Sequence, residues 1–123
     1  MTEIKNYKKY DLEDRTLKYS KAIIDFTNLI PKTIVNREII KQLLRSSSSI
    51  GANYIEANGA LGNKDFLMRI KICRKETKES QYWLNLILTK DEHVENQRKA
   101  LVNEASELLR IFNSILNNMK NKI

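Results

Sequence analysis

The chain has 123 residues, 41% of them apolar and 30% charged, with three glycines, one proline and a formal net charge of +7. That length suits one domain, residues 1–123, around a single core, and so few glycines and prolines argue against a turn-rich all-β fold. A sole cysteine, Cys73, and a sole histidine, His93, exclude a disulfide framework, a thiolate metal cluster and a His-rich site, so no metal and no cofactor is expected.

The opening segment MTEIKNYKKY lacks the apolar core of a secretion signal, and no apolar run reaches the roughly 18 residues of a membrane span. A cytoplasmic location without membrane contact is expected. Leu12, Thr16, Tyr19, Ile23, Phe26 and Ile30 then recur at alternating four and three residue steps until Pro31, which predicts a helix over 13–30. Asn36 reads as the cap of a second helix over 36–58, with Ile40, Leu43, Ser47, Ile50, Tyr54 and Ala57 as its seam and Gly59 and Gly62 beyond its end. Asn63 reads as the cap of a third helix over 64–89, whose seam is Phe66, Ile70, Cys73, Thr77, Ser80, Leu84 and Ile87. After a polar TKDEHV connection, Leu101, Ala105, Leu108, Phe112, Ile115 and Met119 mark a fourth helix over 94–119. Long helices joined by short connections make sequential neighbours antiparallel, so the expected fold is all-α, an up-down-up-down four-helix bundle.

Four consecutive serines, 46–49, fall inside the second helix, and the helical phase of the apolar residues runs through them without a break. This argues against a linker and for a small-residue segment that lets neighbouring helices approach closely. Serine nucleophile chemistry lacks a base and an oxyanion site, because His93 stands alone in the expected connection and no G-x-S-x-G elbow is present. Cys73, on the third seam, reads as a small core side chain.

A polar stripe follows the serines. Arg45, Ser49, Asn53 and Glu56 share one side of the second helix, while Arg69, Glu76 and Trp83 repeat at heptad spacing on the third, with Arg74 and Glu79 close by. Glu56 with Glu76 or Glu79 offers carboxylates for acid–base work or a divalent ion, yet the Glu-x-x-His elements of di-metal bundles are missing. A structural network of Arg45, Asn53, Glu56, Arg74, Glu76 and Glu79 that sets the register of two helices is the favoured reading.

Charge is distributed unevenly. Residues 32–90 hold eleven Lys/Arg against five Asp/Glu, whereas residues 91–119 hold three against five. Within the basic half, Lys64, Lys71, Lys75 and Lys78 fall on one side of the third helix with Met68 and Tyr82. Lys5, Lys8, Lys9, Lys120 and Lys122 add positive termini, with Tyr7 and Tyr10 nearby. Such a row suits a phosphate backbone with aromatic stacking faces, and it equally suits a solvated helix face.

The combination RSSSSIGANYIEANGALGNKDF followed by RKETKESQYWLNLI resembles the 23S ribosomal RNA intervening-sequence protein family. The likeness rests on Arg45, Ser46, Ser49, Ile50, Asn53 and Glu56, on Asp65-Phe66, and on Glu76, Glu79, Tyr82 and Leu84. It departs from many members at Glu56-Ala57-Asn58-Gly59, where those have Glu-Gly directly. What the resemblance implies is a four-helix bundle that assembles as a homopentamer around a central channel, with no established molecular activity; a non-enzymatic oligomeric scaffold is the expected role. It also implies kinship to the accessory protein of diversity-generating retroelements, which binds nucleic acid and a reverse transcriptase. RNA or DNA, and a protein partner such as a reverse transcriptase, are therefore the expected partners.

Overall fold

In the computed structural model, residues 2–120 are described, with side chains from 11 to 119. Lys5, Lys8, Lys9, Lys120 and Lys122, with Tyr7 and Tyr10, lie outside the described side chains. Four helices follow one another, α1 (Thr2–Asn28), α2 (Ile34–Asn58), α3 (Asn63–Leu86) and α4 (Glu92–Lys120). Each presents most of its expected seam to a common core in which Ile23, Leu43, Ile50, Ile70, Cys73, Leu84, Leu108 and Phe112 are fully buried, while Phe66, Ile115 and Met119 are only partly buried and Leu116 is buried at the end of α4.

Cross-helix bonds fix the topology. Glu13 Oε2 accepts from Asn58 Nδ2 at 2.6 Å and the Ser47 carbonyl accepts from Ser20 Oγ at 3.2 Å, so α1 and α2 run in opposite directions. Arg69 Nη1 donates to Asn53 Oδ1 at 3.0 Å and Ser46 Oγ meets Ser80 Oγ at 2.9 Å, reversing α3 against α2. Arg74 reaches Asn113 and Gln81 reaches Ser106, reversing α4 against α3. Arg15 holds Glu104 through two bonds of 2.7 and 2.8 Å, and Tyr19 donates to the Leu101 carbonyl at 3.1 Å, which closes the cycle between α4 and α1. The molecule is thus the up-down-up-down bundle that the periodicity predicts.

The serine run sits where α2 has neighbours on two sides. Ser46 and Ser47 are buried and Ser48 is exposed, and each hydroxyl of residues 46–49 donates to a carbonyl three or four residues earlier, so burial leaves none of them unsatisfied. One turn on, a Cβ at Gly51 would stand 3.0 Å from Thr16 Oγ1, so the absence of a side chain there sets how closely α1 approaches.

Helix ends depart from the expected boundaries for identifiable reasons. Thr33, not Asn36, caps α2: its side chain accepts the Asn36 N–H at 3.1 Å. Asn36 is instead buried in the first turn, where Nδ2 donates to the Pro31 and Leu88 carbonyls and Oδ1 accepts the Leu88 N–H, all at 3.1 Å. One side chain thereby ties both connections at that end of the bundle, and it pulls residue 88 out of helix. Arg98 reinforces this break, donating to the carbonyls of Leu84, Asn85 and Ile87, so α3 stops at Leu86 and not at 89. Gly62 occupies the cap position of α3 without a side-chain bond, and Asn63 is already helical. Asp91 starts α4 by accepting the Val94 N–H, which places His93 inside the helix and not in a connection. α1 ends at Asn28 because the residue before a proline is driven out of the helical region, and Lys32 takes over the freed carbonyls of Thr27 and Ile30.

Candidate nucleic-acid interface

α3 carries two chemically different flanks. On the side packed against α2, Arg45 Nη1 lies 3.4 Å from Glu76 Oε2 and Arg45 Nη2 lies 3.6 Å from Glu79 Oε2. The Glu76 side chain is only 6% exposed, whereas that of Arg45 is 55% exposed, so one half-solvated guanidinium serves two carboxyl groups. Burial pushes the Glu76 carboxyl above its ordinary range, and a hydrogen bond with Glu79 adds to the rise. Glu79 moves the other way, because it accepts that bond and lies near Arg45 and Lys75. The two carboxyl groups, at i, i+3 spacing, are thus driven in opposite directions.

The Arg69–Asn53 bond continues the same seam, and the Asn53 amide donates to the Ser49 carbonyl at 2.9 Å. Of the residues assigned to a network, Arg45 meets Glu76 and Glu79, and Asn53 meets Arg69 in a separate contact of the same α2/α3 seam. Glu56 is exposed and makes no side-chain bond or ion pair among the described residues. Arg74 lies on the opposite flank, where Nη1 donates to Asn113 Oδ1 at 3.3 Å. A three-carboxylate cluster of Glu56, Glu76 and Glu79 does not form, since among the described residues no group of three His, Cys, Asp or Glu side chains is placed to hold a metal ion. Cys73 is fully buried, donates weakly to the Ile50 carbonyl at 3.4 Å and has its thiol pushed up to about 12 by burial, which removes it as a nucleophile at neutral pH.

The far flank of α3 is open. Lys64, Lys71, Lys75 and Lys78 are all exposed, and none lies within ion-pair distance of a described carboxylate. Most other described cations are engaged. Arg15, Lys18, Lys41, Arg45, Arg98 and Arg110 each have an acidic partner, and Lys32, Arg37, Arg69 and Arg74 donate to carbonyl or amide oxygens. Met68, 49% exposed, and Tyr82, 60% exposed, stand in the same row as the lysines. Tyr82 meets Trp83 edge-on, with ring centroids 5.1 Å apart and planes at 75°, while Trp83 itself packs partly against the core. Sequence periodicity locates this row, but it does not show that its charges are unpaired, because pairing depends on which residues the neighbouring helix presents.

A bundle of four antiparallel helices with a small-residue second helix and a polar α2/α3 seam defines the class of protein. The model of the family described as 23S rRNA-intervening sequence protein matches residues 8–114, and the chain belongs to that family. It is also similar to a crystal structure, at 1.70 Å resolution, of a protein of unknown function from the S23 ribosomal protein family of Bacteroides thetaiotaomicron. The two share 30% identity and a TM-score of 0.72 over 89% of this chain and 98% of the other. No curated protein matches the chain. No helix among the described residues is long and apolar enough to cross a membrane.

Proposed function

We propose that the protein is a non-enzymatic, oligomeric helical scaffold of the cytoplasm that binds RNA or DNA through Lys64, Lys71, Lys75 and Lys78. The observation that carries this reading is the unpaired lysine row on a protein whose other described cations are largely engaged in place. Four ammonium groups along one helix supply the sequence-independent attraction on which binding to phosphate backbones depends. Replacing all four lysines with glutamate is expected to abolish binding to structured RNA at low salt, and the wild-type affinity is expected to fall steeply as salt is added. No affinity of the unaltered protein at low salt overturns the proposal.

Self-association supports avidity in the same reading. Leu17 and Ile24, one heptad apart on α1, and Ile55 on α2 stay about half exposed beside the α1/α2 seam and suit contact with a second copy. A homopentamer is the assembly we propose from the family resemblance, and light scattering on a sizing column separates a ring of five from a 14.4 kDa monomer. An adaptor role toward a nucleic-acid enzyme such as a reverse transcriptase draws on a different surface. Leu29, Ile34, Val35 and Leu88 are exposed at the end where Asn36 joins the two connections. Recovery of a defined enzyme partner after nuclease treatment, abolished by changing Ile34 and Leu88 to Asp, favours that role.

A further inference from the structure

The outer row of α3 reads Lys64, Met68, Lys71, Lys75, Lys78, Tyr82, a strict four-three-four-three-four spacing on the face turned away from the core. Such a seam ordinarily marks buried residues, yet every member of this one is exposed. Its charged members span about 21 Å along the helix axis, at 1.5 Å per residue. The lysines form a single file, and on the α4 side only Arg74, partly buried and bonded to the Asn113 amide, adds a cation beside it. Toward α2 lies the Glu76–Glu79 pair, and toward α4 the exposed Arg110 is engaged by Glu107 at 2.9 Å. Residues 91–119 carry five acidic side chains against three basic ones.

A duplex presents two phosphate strands separated by a groove and is best met by two rows of cations or by an element inserted between the strands. One row serves one strand. The row also contains an aromatic face that a duplex cannot use, because paired bases are already stacked on one another. Tyr82 is held edge-on by Trp83, makes no described side-chain hydrogen bond, and leaves most of its ring open at the end of the lysines. Beside the row, Asn113 and Ser106 of α4 meet Arg74 and Gln81 at the α3/α4 seam, a polar border.

We infer that the α3 row is a site for single-stranded nucleic acid, with the lysines along one backbone and an unpaired base stacked on Tyr82. This rests on the nucleic-acid reading above and narrows its ligand from any polynucleotide to an unpaired strand. Stacking of a base on an aromatic ring tolerates sequence, so RNA and DNA strands are both accommodated.

Fluorescence anisotropy with labelled U12, dT12 and a 20-base-pair duplex at about 50 mM salt tests the assignment on the full chain. Both single strands are expected to bind more tightly than the duplex, with a log–log salt slope of about −3 for four phosphates neutralised on a single strand. Tyr82→Ala is expected to weaken U12 and dT12 binding about tenfold while leaving the duplex unaffected, and Tyr82→Phe to restore it. A thermal melt of each variant shows whether the fold is retained, and the exposed position of Tyr82 predicts that it is. Equal affinity for duplex and single strand, or a Tyr82→Ala variant that binds U12 as well as the wild type, overturns the single-strand assignment and leaves lysine-driven binding standing. Binding to none of the three overturns the nucleic-acid reading itself.

Discussion

The two flanks of α3 carry similar residues to opposite ends. Toward α2, Arg69, Glu76 and Glu79 are each matched to Arg45 or Asn53, and the charge of that flank is consumed in holding two helices in register. Away from the core, four lysines have no acidic partner among the described residues and face solvent. Buried charge requires compensation because desolvation costs several kcal/mol per ion, whereas exposed lysines cost almost nothing to leave unpaired. An unpaired exposed row is therefore inexpensive for the fold and remains free for an external anion, so the flank that contributes least to stability is the one available for binding.

Changes on the two flanks are expected to separate binding from stability. Lys64→Glu, Lys71→Glu and Lys78→Glu together should lower affinity for a single strand by about a hundredfold or more, since each lysine replaced gives up one phosphate and the counterion that its neutralisation releases. Stability should move by less than about 0.5 kcal/mol for each change, as is usual for surface positions. Lys75 is left in place because it helps to lower Glu79. Anisotropy titration and urea denaturation of the same preparation read both quantities, and a large stability loss in the triple variant would erase the contrast between the flanks.

Arg45→Ala tests the other flank. It leaves the nearly buried Glu76 without its cation, and about 2 kcal/mol of stability should be lost, less than for a fully buried pair because Arg45 is half in solvent. Affinity for nucleic acid should be unchanged within a factor of about two or three. Asn53→Ala removes the partner of Arg69 and should cost about 1 kcal/mol, the net value of one such bond. In urea denaturation, equal losses for Arg45→Ala and Asn53→Ala would show that the buried carboxyl is not what makes Arg45 important.

Much of this arrangement is legible in the sequence. The apolar seams place all four helices, and the unbroken phase through Ser46–Ser49 puts the serines inside α2, where Ser46 and Ser47 indeed become buried. Boundaries are less legible, since Asn36 has the chemistry of a cap yet is recruited by Leu88, a residue 52 positions away. Local propensity cannot weigh a bond to a backbone that only the tertiary fold brings near. The same limit governs the polar stripe. Spacing puts Arg45 and Asn53 on one stripe of α2 and Glu76 near Glu79 on α3, but which of these, with Glu56 and Arg74, touch across the seam depends on the rotation of each helix about its axis, which spacing alone leaves open to within a residue or so. Arg98 gives no signal at all, because an arginine on a helix is read as exposed until a neighbouring helix end supplies three carbonyls.

The smallest expected effect is also the one that bears most directly on the Glu76–Glu79 pair. Glu76 is raised in the folded protein, so its contribution to stability is complete below the ordinary carboxylate range and is lost as pH rises through its folded value. Glu79 is lowered, so its contribution is present above the ordinary range and is lost as pH falls through its own folded value. Glu76→Gln keeps a donor toward Glu79 but has no proton to release, which removes the first of these dependences. The variant and the wild type should therefore melt at similar temperatures near about pH 4, and the variant should become the more stable as pH rises toward about 8. A gap of about 2–4 °C is expected, as for a change of under about 1 kcal/mol in a domain of this size. Melting curves that stay parallel from about pH 4 to 8 would show that Glu76 titrates in the folded protein as it does in the unfolded chain, with Arg45 offsetting its burial.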